Sequence, residues 1–500
     1  MTYRIFRLIS SLFLALAVTI VASAPHLARA AGPWYVAPGG NDINTCLSPA
    51  TACATVNGTL AKPGFIPGDV VNVAIGNYIS SDVAVLIFDK NTTIAGGWNA
   101  SFTTQSGLST IDGQNTRLGM LVRNGVTATV DHLLVQNAYN GPAILNSGTL
   151  TIKNSAVRGN HTSTSIGGGI SNTGILVVNN SEISDNTSIY GGGINNSGGQ
   201  VTLNNSTVSA NIADFGGGGI YNQSSGTIKI HNSTISNNTA SGGIFGDGGG
   251  INNWSGIVTL QNSILASNSA THFSPDCTGF FSLGYNLIGN TSSCFFTSST
   301  GDLNDVNPLI GPLQNNGGLT FTHALLSGSP AIDSGNPAGC KDQDGNLLTT
   351  DQRGITRPQG TRCDIGAFEL EASGGDGGNE VTIDIKPGRF PNRIKLTSNV
   401  CNDDDNLYVA ILTTPAFNAR TVNASTIQLG DPNFSGKAAS IRSRITNVDG
   451  DGDKDMVLTF TLCSIVTNGA LNINSTEMVL TGMTLDGVSI TGRDSVKVVR

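Results

Sequence analysis

Residues 191–240 contain a repeat from which the fold can be predicted: GGGINNSGGQVTLNNSTVSANIADFGGGGIYNQSSGTIKIHNSTISNNTA. A run of glycines, a closing isoleucine, an asparagine-rich turn and an alternating apolar strand occur twice within it. Related copies begin at Gly167 and Gly248. The isoleucines that close the glycine runs mark the repeat, and they are Ile170, Ile194, Ile220 and Ile251.

The spacing of these isoleucines, 24, 26 and 31 residues, is typical of a solenoid. Glycine triplets and alternating Thr, Val and Ile disfavour helical repeats, and the Leu-x-x-Leu-x-Leu frame of leucine-rich repeats is absent. The repeat therefore predicts a parallel β-helix with about three short strands in each coil. We expect the isoleucines to stack in the core and the glycines to allow sharp turns or close approach of coils. We also expect one amide ladder, formed by Asn172, Asn196, Asn222 and Asn253.

Composition narrows the class of protein further. Only 12% of residues are charged while 38% are hydrophobic, which is the opposite of the balance found in disordered chains. The net charge of −8, with no basic stripe, argues against a nucleic-acid partner.

The first 30 residues are typical of an export signal. Arg4 and Arg7 precede an apolar run, and the small residues Ala28 and Ala30 offer a cleavage site. No later stretch has 18 consecutive apolar residues, so no transmembrane span is expected after cleavage. The sequence predicts a secreted or cell-surface protein.

Eight cysteines fall along the chain as four neighbouring pairs. In an exported protein an even number indicates disulfides, although eight cysteines allow about 105 connectivities. We expect nearest-neighbour pairing, which joins Cys46 to Cys53, Cys277 to Cys294, Cys340 to Cys363 and Cys401 to Cys463.

Several motifs carry a resemblance to a known family. They are WYVAPGGNDINTC at Trp34, PGDVVNVAIGNY at Pro67, TIAGGWNASF, STIDGQ and, between Ser329 and Glu369, SPAIDSGNP, DQRGITRP and CDIGAFE. With these motifs the chain resembles secreted bacterial right-handed parallel β-helix proteins of the pectate-lyase-like superfold that carry a choice-of-anchor Q region. Its glycine–isoleucine repeats resemble those of polymorphic outer-membrane proteins.

The pattern predicts an all-β chain in which a parallel β-helix solenoid is followed by a small β-sandwich. Within residues 300–371 we expect a cap on the open end of the helix, held by an ion-pair network of Asp351, Arg353, Arg357 and Asp364. The expected organisation is a signal peptide (1–30), the β-helix with its entry coils (31–299), the cap (300–371), a Gly-rich linker (372–379) and a β-sandwich accessory domain (380–500).

The segment NVDGDGDKD is the best candidate for a metal site. Its side chains Asn447, Asp449, Asp451, Asp453 and Asp455 can surround one hard cation, and the glycines permit a tight loop. Counted as an EF-hand loop from Asn447, the twelfth position is Leu458 and lacks the bidentate glutamate. We therefore expect a simpler calcium loop with a structural role. The alternative interpretation is a solvated acidic turn.

Two classes of function fit this fold. The first is a non-catalytic, adhesin-like or glycan-binding protein whose partner is a cell surface or an extracellular polysaccharide. The second is a polysaccharide lyase or glycoside hydrolase, which needs paired acidic groups. The coil acids Glu182, Asp185, Asp214 and Asp247 are not in one register, and adjacent strand residues such as Asp131 and His132 should point to opposite faces. We therefore assign no catalytic residue and favour the first class.

Overall fold

A computed structural model describes most of the chain: residues 32–162, 166–242, 247–326, 328–371, 379–389, 391–396, 405–414, 417–432, 434, 436–485 and 489–499. The predicted signal peptide (1–30), the predicted linker except its last residue, and Cys401 lie outside the described residues. The chain divides into two compact units, Met1–Gly354 with Ile365–Phe368, and Ile355–Asp364 with Glu369–Arg500. Their sheets confirm the predicted all-β class.

The first unit is a parallel β-solenoid of about eight turns. Successive coils add strands to two ten-stranded sheets, A and B, and to two shorter ones, C and D, so that strands equivalent in sequence are neighbours in space. Sheet A contains β1 (Trp34–Val36), β2 (Val70–Ala74), β5 (Thr92–Trp98), β8 (Thr127–Asp131), β11 (Thr149–Lys153), β14 (Ile175–Asn179), β18 (Gln200–Asn204), β22 (Gly226–His231), β26 (Gly256–Gln261) and β29 (Phe281–Ser282). Sheet B contains β3 (Asn77–Tyr78), β6 (Ser109–Asp112), β9 (Leu133–Gln136), β12 (Ala156–Arg158), β15 (Glu182–Ser184), β19 (Thr207–Ser209), β23 (Thr234–Ser236), β27 (Ile264–Ala266), β30 (Leu287–Ile288) and β31 (Leu303–Asn304).

Two shorter parallel sheets and a few small elements complete this unit. Sheet C contains β4 (Ala84–Phe88), β7 (Leu118–Val122), β10 (Ile144–Asn146), β13 (Ile170–Asn172), β17 (Ile194–Ser197), β21 (Ile220–Gln223) and β25 (Ile251–Asn253). Sheet D contains β16 (Thr187–Tyr190), β20 (Ile212–Gly216), β24 (Thr239–Ala240) and β28 (Ser269–Ala270). The small elements are helix α1 (Val56–Leu60), a 3-10 turn (Pro49–Thr51) and the antiparallel hairpin β32 (Ile310–Gln314) and β33 (Thr322–Leu325).

The closing isoleucines form one continuous column in sheet C. Ile170, Ile194, Ile220 and Ile251 pair directly from coil to coil, and all four are completely buried. Ile144 extends the column by one coil toward the N-terminus. Since each isoleucine packs on its equivalents in the two neighbouring coils, the repeated residues form a continuous hydrophobic core.

Asparagines form two amide ladders along the solenoid. In the first ladder the side-chain Nδ2 of one coil donates to Oδ1 of the next at 2.7–3.0 Å, which confirms the predicted stacking and adds one member; its residues are Asn146, Asn172, Asn196, Asn222 and Asn253. The second ladder was not predicted as a continuous chain and ends on a carboxylate. Its amides donate in the same way at 2.8–2.9 Å and comprise Asn160, Asn186, Asn211, Asn238 and Asn268, followed by Asp276.

The three glycines of each triplet have different tasks. The first glycine has a positive φ, for example +67° at Gly217, where a side chain would strain the backbone. The second and third lie against the next coil. A Cβ built on Gly218 would lie 2.5 Å from the Thr239 carbonyl oxygen, and one on Gly219 would lie 2.6 Å from the Gly250 carbonyl oxygen. The first glycine is therefore required by the backbone turn, and the other two are required because the next coil leaves no room for a side chain.

The segment that follows the coils lies along the side of the solenoid, which differs from the expected end cap. Its backbone and side chains bond to the outer face of sheet B: Phe321 N donates to Glu182 Oε2 at 2.8 Å, and Thr207 Oγ1 donates to Gln352 Oε1 at 2.6 Å. We call residues 310–354 with 365–368 the strap. The outward positions of β15, β19 and β23 are mostly Ser and Thr, so sheet B offers hydrogen-bonding groups on which the strap can lie.

His323 shows how closely the strap is fitted. Its ring is buried, and burial lowers the pKa, so the ring is neutral near pH 7. Nδ1 lies 2.7 Å from the Gly311 carbonyl oxygen and must donate to it, because a carbonyl only accepts. Nε2 therefore accepts from the Ser209 hydroxyl at 2.8 Å, which joins the strap to β19.

Two ion pairs involve residues of the expected network. Arg353 Nη2 lies 2.8 Å from Asp351 Oδ2, and the Arg353 guanidinium stacks on Phe368 within the strap. In the second unit Arg357 Nε lies 3.2 Å from Glu369 Oε2, and both groups are buried. Asp364 accepts from the backbone of Leu370. Arg353 and Arg357 are thus each held by a carboxylate of the protein.

Two predicted disulfides are present in the solenoid unit. Cys46 is bonded to Cys53 and Cys277 to Cys294, with Cα–Cα distances of 5.0 and 5.1 Å. Cys53 pairs with Val36 of the first strand of sheet A, and Cys277 pairs with Ile251 of the last strand of sheet C, so the bridges lie near the two ends of these sheets. The residues Cys340, Cys363 and Cys463 are also disulfide-bonded. The nearest-neighbour pairing stays a prediction for them.

The second unit consists of small, mainly antiparallel sheets around one core that draws residues from both larger sheets. The five-stranded sheet contains β34 (Asn379–Glu380), β38 (Val422–Gly430), β39 (Ala438–Ala439), β42 (Glu477–Thr484) and β43 (Ser489–Ser495). The four-stranded sheet contains β35 (Ile383–Ile385), β37 (Asn406–Ile411), β40 (Arg442–Thr446) and β41 (Asp455–Thr461). The remaining elements are the pair β36 (Arg393–Lys395) and β44 (Lys497–Val499), helix α2 (Leu462–Thr467) and a 3-10 turn (Ala419–Thr421).

Candidate functional site

The acidic loop between β40 and β41 brings three of the five predicted ligands together. Carboxylate oxygens of Asp449, Asp451 and Asp453 lie within 4.8 Å of one another. Gly450 and Gly452 have φ values of +86° and +103°, so the loop turns at the two positions where glycine was expected to permit it. Among the described residues this is the one group of three or more His, Cys, Asp or Glu side chains close enough to hold a metal ion.

The other two predicted ligands have structural partners. Asp455 is completely buried, and its two oxygens accept from Thr413 N at 2.8 Å and Val448 N at 2.7 Å, which closes the base of the loop. Asn447 Oδ1 accepts from Gly450 N at 2.7 Å. The loop therefore presents a three-carboxylate group on a frame held by Asn447 and Asp455.

The electrostatics of the three carboxylates favour a cation. The pKa of Asp453 is raised to about 6. Loss of hydration is the largest cause, and repulsion from Asp451, Asp455 and Asp449 adds to it. Asp453 Oδ1 is shielded from solvent and has no hydrogen-bond partner. A hard divalent cation would supply both the missing partner and the missing positive charge, and carboxylate oxygens are the ligands that calcium prefers. The residues present thus fit calcium.

Two of the four coil acids, Glu182 and Asp247, are tied into the framework. Glu182 is fully buried and accepts from the Ser184 hydroxyl and Phe321 N, while Arg158 lies 3.5 Å away. Burial raises the pKa of Glu182, and the positive charge of Arg158 opposes that change. Asp247 is also buried and accepts from His272 N at 2.9 Å. Neither carboxylate is free to meet a substrate.

Asp131 and His132 do contact each other, contrary to the prediction that they point to opposite faces. Strand β8 ends at Asp131, and His132 adopts a φ of +58°, which turns its ring back so that Nδ1 lies 2.7 Å from Asp131 Oδ1. Burial raises the pKa of Asp131, but hydrogen bonds from His132 and Asn154 more than offset it and hold the pKa below its ordinary value. This pair lies on the solenoid without a third acidic partner within metal-ligand distance among the described residues.

An aromatic group lies where sheets D and C meet. The ring of Tyr190 stacks on Phe215 with centroids 5.4 Å apart and contacts Tyr221 at 5.1 Å. Phe215 keeps 45% of its surface exposed, whereas Tyr221 is buried. Sequence reasoning missed this group because its members come from different positions in successive repeats. We call these three residues the aromatic platform.

A cavity of about 380 Å³ lies in the second unit beside the acidic loop. Lys386, Arg389 and Arg444 supply three cations to its wall, and Tyr408 supplies an aromatic ring. The remaining lining residues in the described part of the chain are Pro387, Thr446, Asn447, Val448 and Val457, and none of them is acidic.

Comparisons with known proteins add no identification. No protein-family model matches the chain, and neither curated proteins nor solved structures contain a significant match. In the described part of the chain no helix has the length and apolar character needed to cross a membrane. The function must therefore be argued from the solenoid and the groups just described.

Proposed function

We propose that the chain is an exported, non-catalytic surface or secreted protein that binds saccharides through the side of its solenoid. The β-helix fold suits surface and secreted proteins generally, and disulfides are compatible with an extracellular location. A long side built from stacked coils gives an extended surface of the kind that solenoids use for binding.

The observation that carries the proposal is the exposed aromatic platform. The flat C–H face of a sugar ring packs well on an aromatic ring, and stacked rings hold such a surface in a fixed orientation. Phe215 keeps almost half of its surface exposed, so its ring is accessible to a ligand. Neighbouring coils carry Asn195 and Asn252 at the positions equivalent to Tyr221, so polar groups flank the rings.

A glycan array probed with the full exported chain tests the proposal. We expect binding to one group of saccharides, and Phe215→Ala should weaken it by about tenfold, since an aromatic stacking contact contributes about 0.5–1.5 kcal/mol beyond its buried area. Phe281→Ala is the matched control, because Phe281 is 62% exposed but lies outside the platform. Absence of saccharide binding, or equal loss in both variants, would contradict the proposal.

The same preparation distinguishes binding from cleavage. The buried carboxylates Glu182 and Asp247 are engaged by protein donors, so we expect no new reducing ends and no unsaturated sugar products from any polysaccharide that binds. Release of either product by the parent chain would contradict the non-catalytic proposal and favour the glycoside hydrolase or lyase class.

We further propose that the acidic loop holds a structural calcium ion. A ligand that binds only the folded state stabilises it by about 2.7 kcal/mol at 100 times its dissociation constant. Millimolar calcium should therefore raise the unfolding temperature of the second unit in the parent, and Asp451→Ala should abolish this gain. Asp214→Ala, which removes an exposed acid from the solenoid, should retain it. Identical melting curves for the parent with and without calcium would contradict the calcium site and favour the alternative interpretation, a solvated acidic turn.

A further inference from the structure

The cavity of the second unit is an unusual feature in an acidic chain. The net charge is −8, yet Lys386, Arg389 and Arg444 line one concave surface that has no acidic side chain among the described residues. Clustered cations repel one another unless an anion joins them, and a concave wall concentrates their field. This arrangement favours an anionic ligand.

The sheet positions the cavity floor. Val457 of β41 pairs with Arg444 of β40 on one side and with Ala410 of β37 on the other. Met456 and Leu458, the neighbours of Val457, point into the core, so Val457 and Arg444 lie on the outer face of the sheet. Tyr408 lies on the same face of β37 and keeps 46% of its surface exposed. The Tyr408 ring and the Arg444 guanidinium therefore lie on the same surface.

The loop after β35 forms the second wall. Lys386 N donates to the Tyr408 carbonyl oxygen, which fixes the loop against β37. The Lys386 ammonium donates to the Arg393 carbonyl oxygen at 2.6 Å, so its charge is held in place by the protein. Arg389 and Arg444 form no ion pair among the described residues, and both are exposed. Their planar guanidinium groups are free to bind an anion bidentately.

We propose that this cavity binds an acidic saccharide, with the carboxylate or sulfate group of the sugar between Arg389 and Arg444 and the ring on Tyr408. The volume of about 380 Å³ lies at the small end of the range of roughly 300–1,000 Å³ for small-molecule sites and suits one or two sugar rings. The inference rests on the proposed function for the choice of a saccharide, and it adds a second site and an acidic ligand class.

Titration calorimetry of the full exported chain with a galacturonic-acid oligomer tests this inference, with a neutral xylose oligomer of equal length as the comparison ligand. We expect the acidic oligomer alone to bind at this site. Arg444→Gln and Tyr408→Ala should each weaken binding by about tenfold or more. Arg442→Gln is the matched control, because Arg442 lies two residues away on the same exposed strand but does not line the cavity.

Three results would overturn the inference: equal binding of the neutral oligomer, equal loss in the Arg442 and Arg444 variants, or competition by inorganic sulfate as effective as by the oligomer. Saccharide binding that survives Arg444→Gln would overturn the cavity assignment and leave the proposed function intact. Absence of all saccharide binding to the parent chain would instead contradict the proposed function itself.

Discussion

Replacing Ile220 by Asp tests the isoleucine column at its centre. The Ile220 side chain is fully buried between Ile194 and Ile251. Loss of the buried hydrocarbon should cost about 2–5 kcal/mol, as for other truncations of buried aliphatic side chains. The new carboxyl must also stay uncharged in this core, and protonating an aspartic acid at pH 7 costs about 4 kcal/mol. The expected total is therefore about 6–9 kcal/mol at pH 7.

The protonation cost makes the stability of this variant depend on pH. An Asp with a strongly raised pKa contributes stability below its ordinary pKa near 4 and loses it as the pH rises, so the deficit of Ile220→Asp should shrink by several kcal/mol between pH 7 and pH 4. Chemical denaturation at both pH values measures it. Ile220→Val should cost only about 1 kcal/mol, and Ser224→Asp, at an exposed turn with φ +55°, should be near neutral.

Solenoid coils are stabilised by their neighbours, so damage should start locally. Limited proteolysis of Ile220→Asp should cut first near residue 220, with cleavage then spreading to adjacent coils. If this variant unfolds at the same denaturant concentration as the parent, residue 220 faces solvent and the register of sheet C is wrong.

Three further substitutions test other parts of the framework. Gly218→Ala should destabilise the chain by at least about 1–3 kcal/mol in thermal unfolding, because its Cβ would meet the Thr239 carbonyl oxygen; a neutral result would contradict the close approach of these coils. Burial raises the pKa of Asp276 to about 6, so the parent should lose up to about 3 kcal/mol as the pH rises from 4 to 6, and Asp276→Asn should lack this loss; parallel pH profiles would refute the assignment. Glu182→Gln should release the strap and speed proteolysis near residue 321, whereas Asp185→Asn, at an exposed position with φ +53°, should not.

Features repeated in fixed register could be predicted from the sequence. The isoleucines and the asparagines of the first ladder each recur at one position per repeat. Once the parallel β-helix is predicted, the stacking of every copy follows. Asn186 lies in an Asn-x-Ser triplet, and its side-chain amide is bonded to the asparagines of both neighbouring coils. The continuation of that second ladder to Asp276 was missed because the last member is not an amide.

Features that depend on one residue or on distant contacts could not be predicted. The contact between Asp131 and His132 depends on a single positive φ at the end of a strand, which leaves no periodic signal. The strap meets sheet B through pairs far apart in sequence, such as Phe321 and Glu182, which are 139 residues apart. The basic cavity likewise draws Arg389 and Arg444 from different strands and loops, so composition alone does not reveal it.

The most direct test of the account is a distance measurement along the solenoid. Outward positions of sheet A form one column that includes Thr93, Thr202 and Thr259, with four coil steps from Thr93 to Thr202 and two more to Thr259. Parallel strands lie about 4.8 Å apart, so the separations should be about 19 Å and about 29 Å. Spin labels carried on non-natural side chains, which leave the cysteines untouched, allow both pairs to be measured by pulsed electron paramagnetic resonance. Two narrow distributions about 10 Å apart are predicted, whereas broad distributions or equal distances would contradict the solenoid.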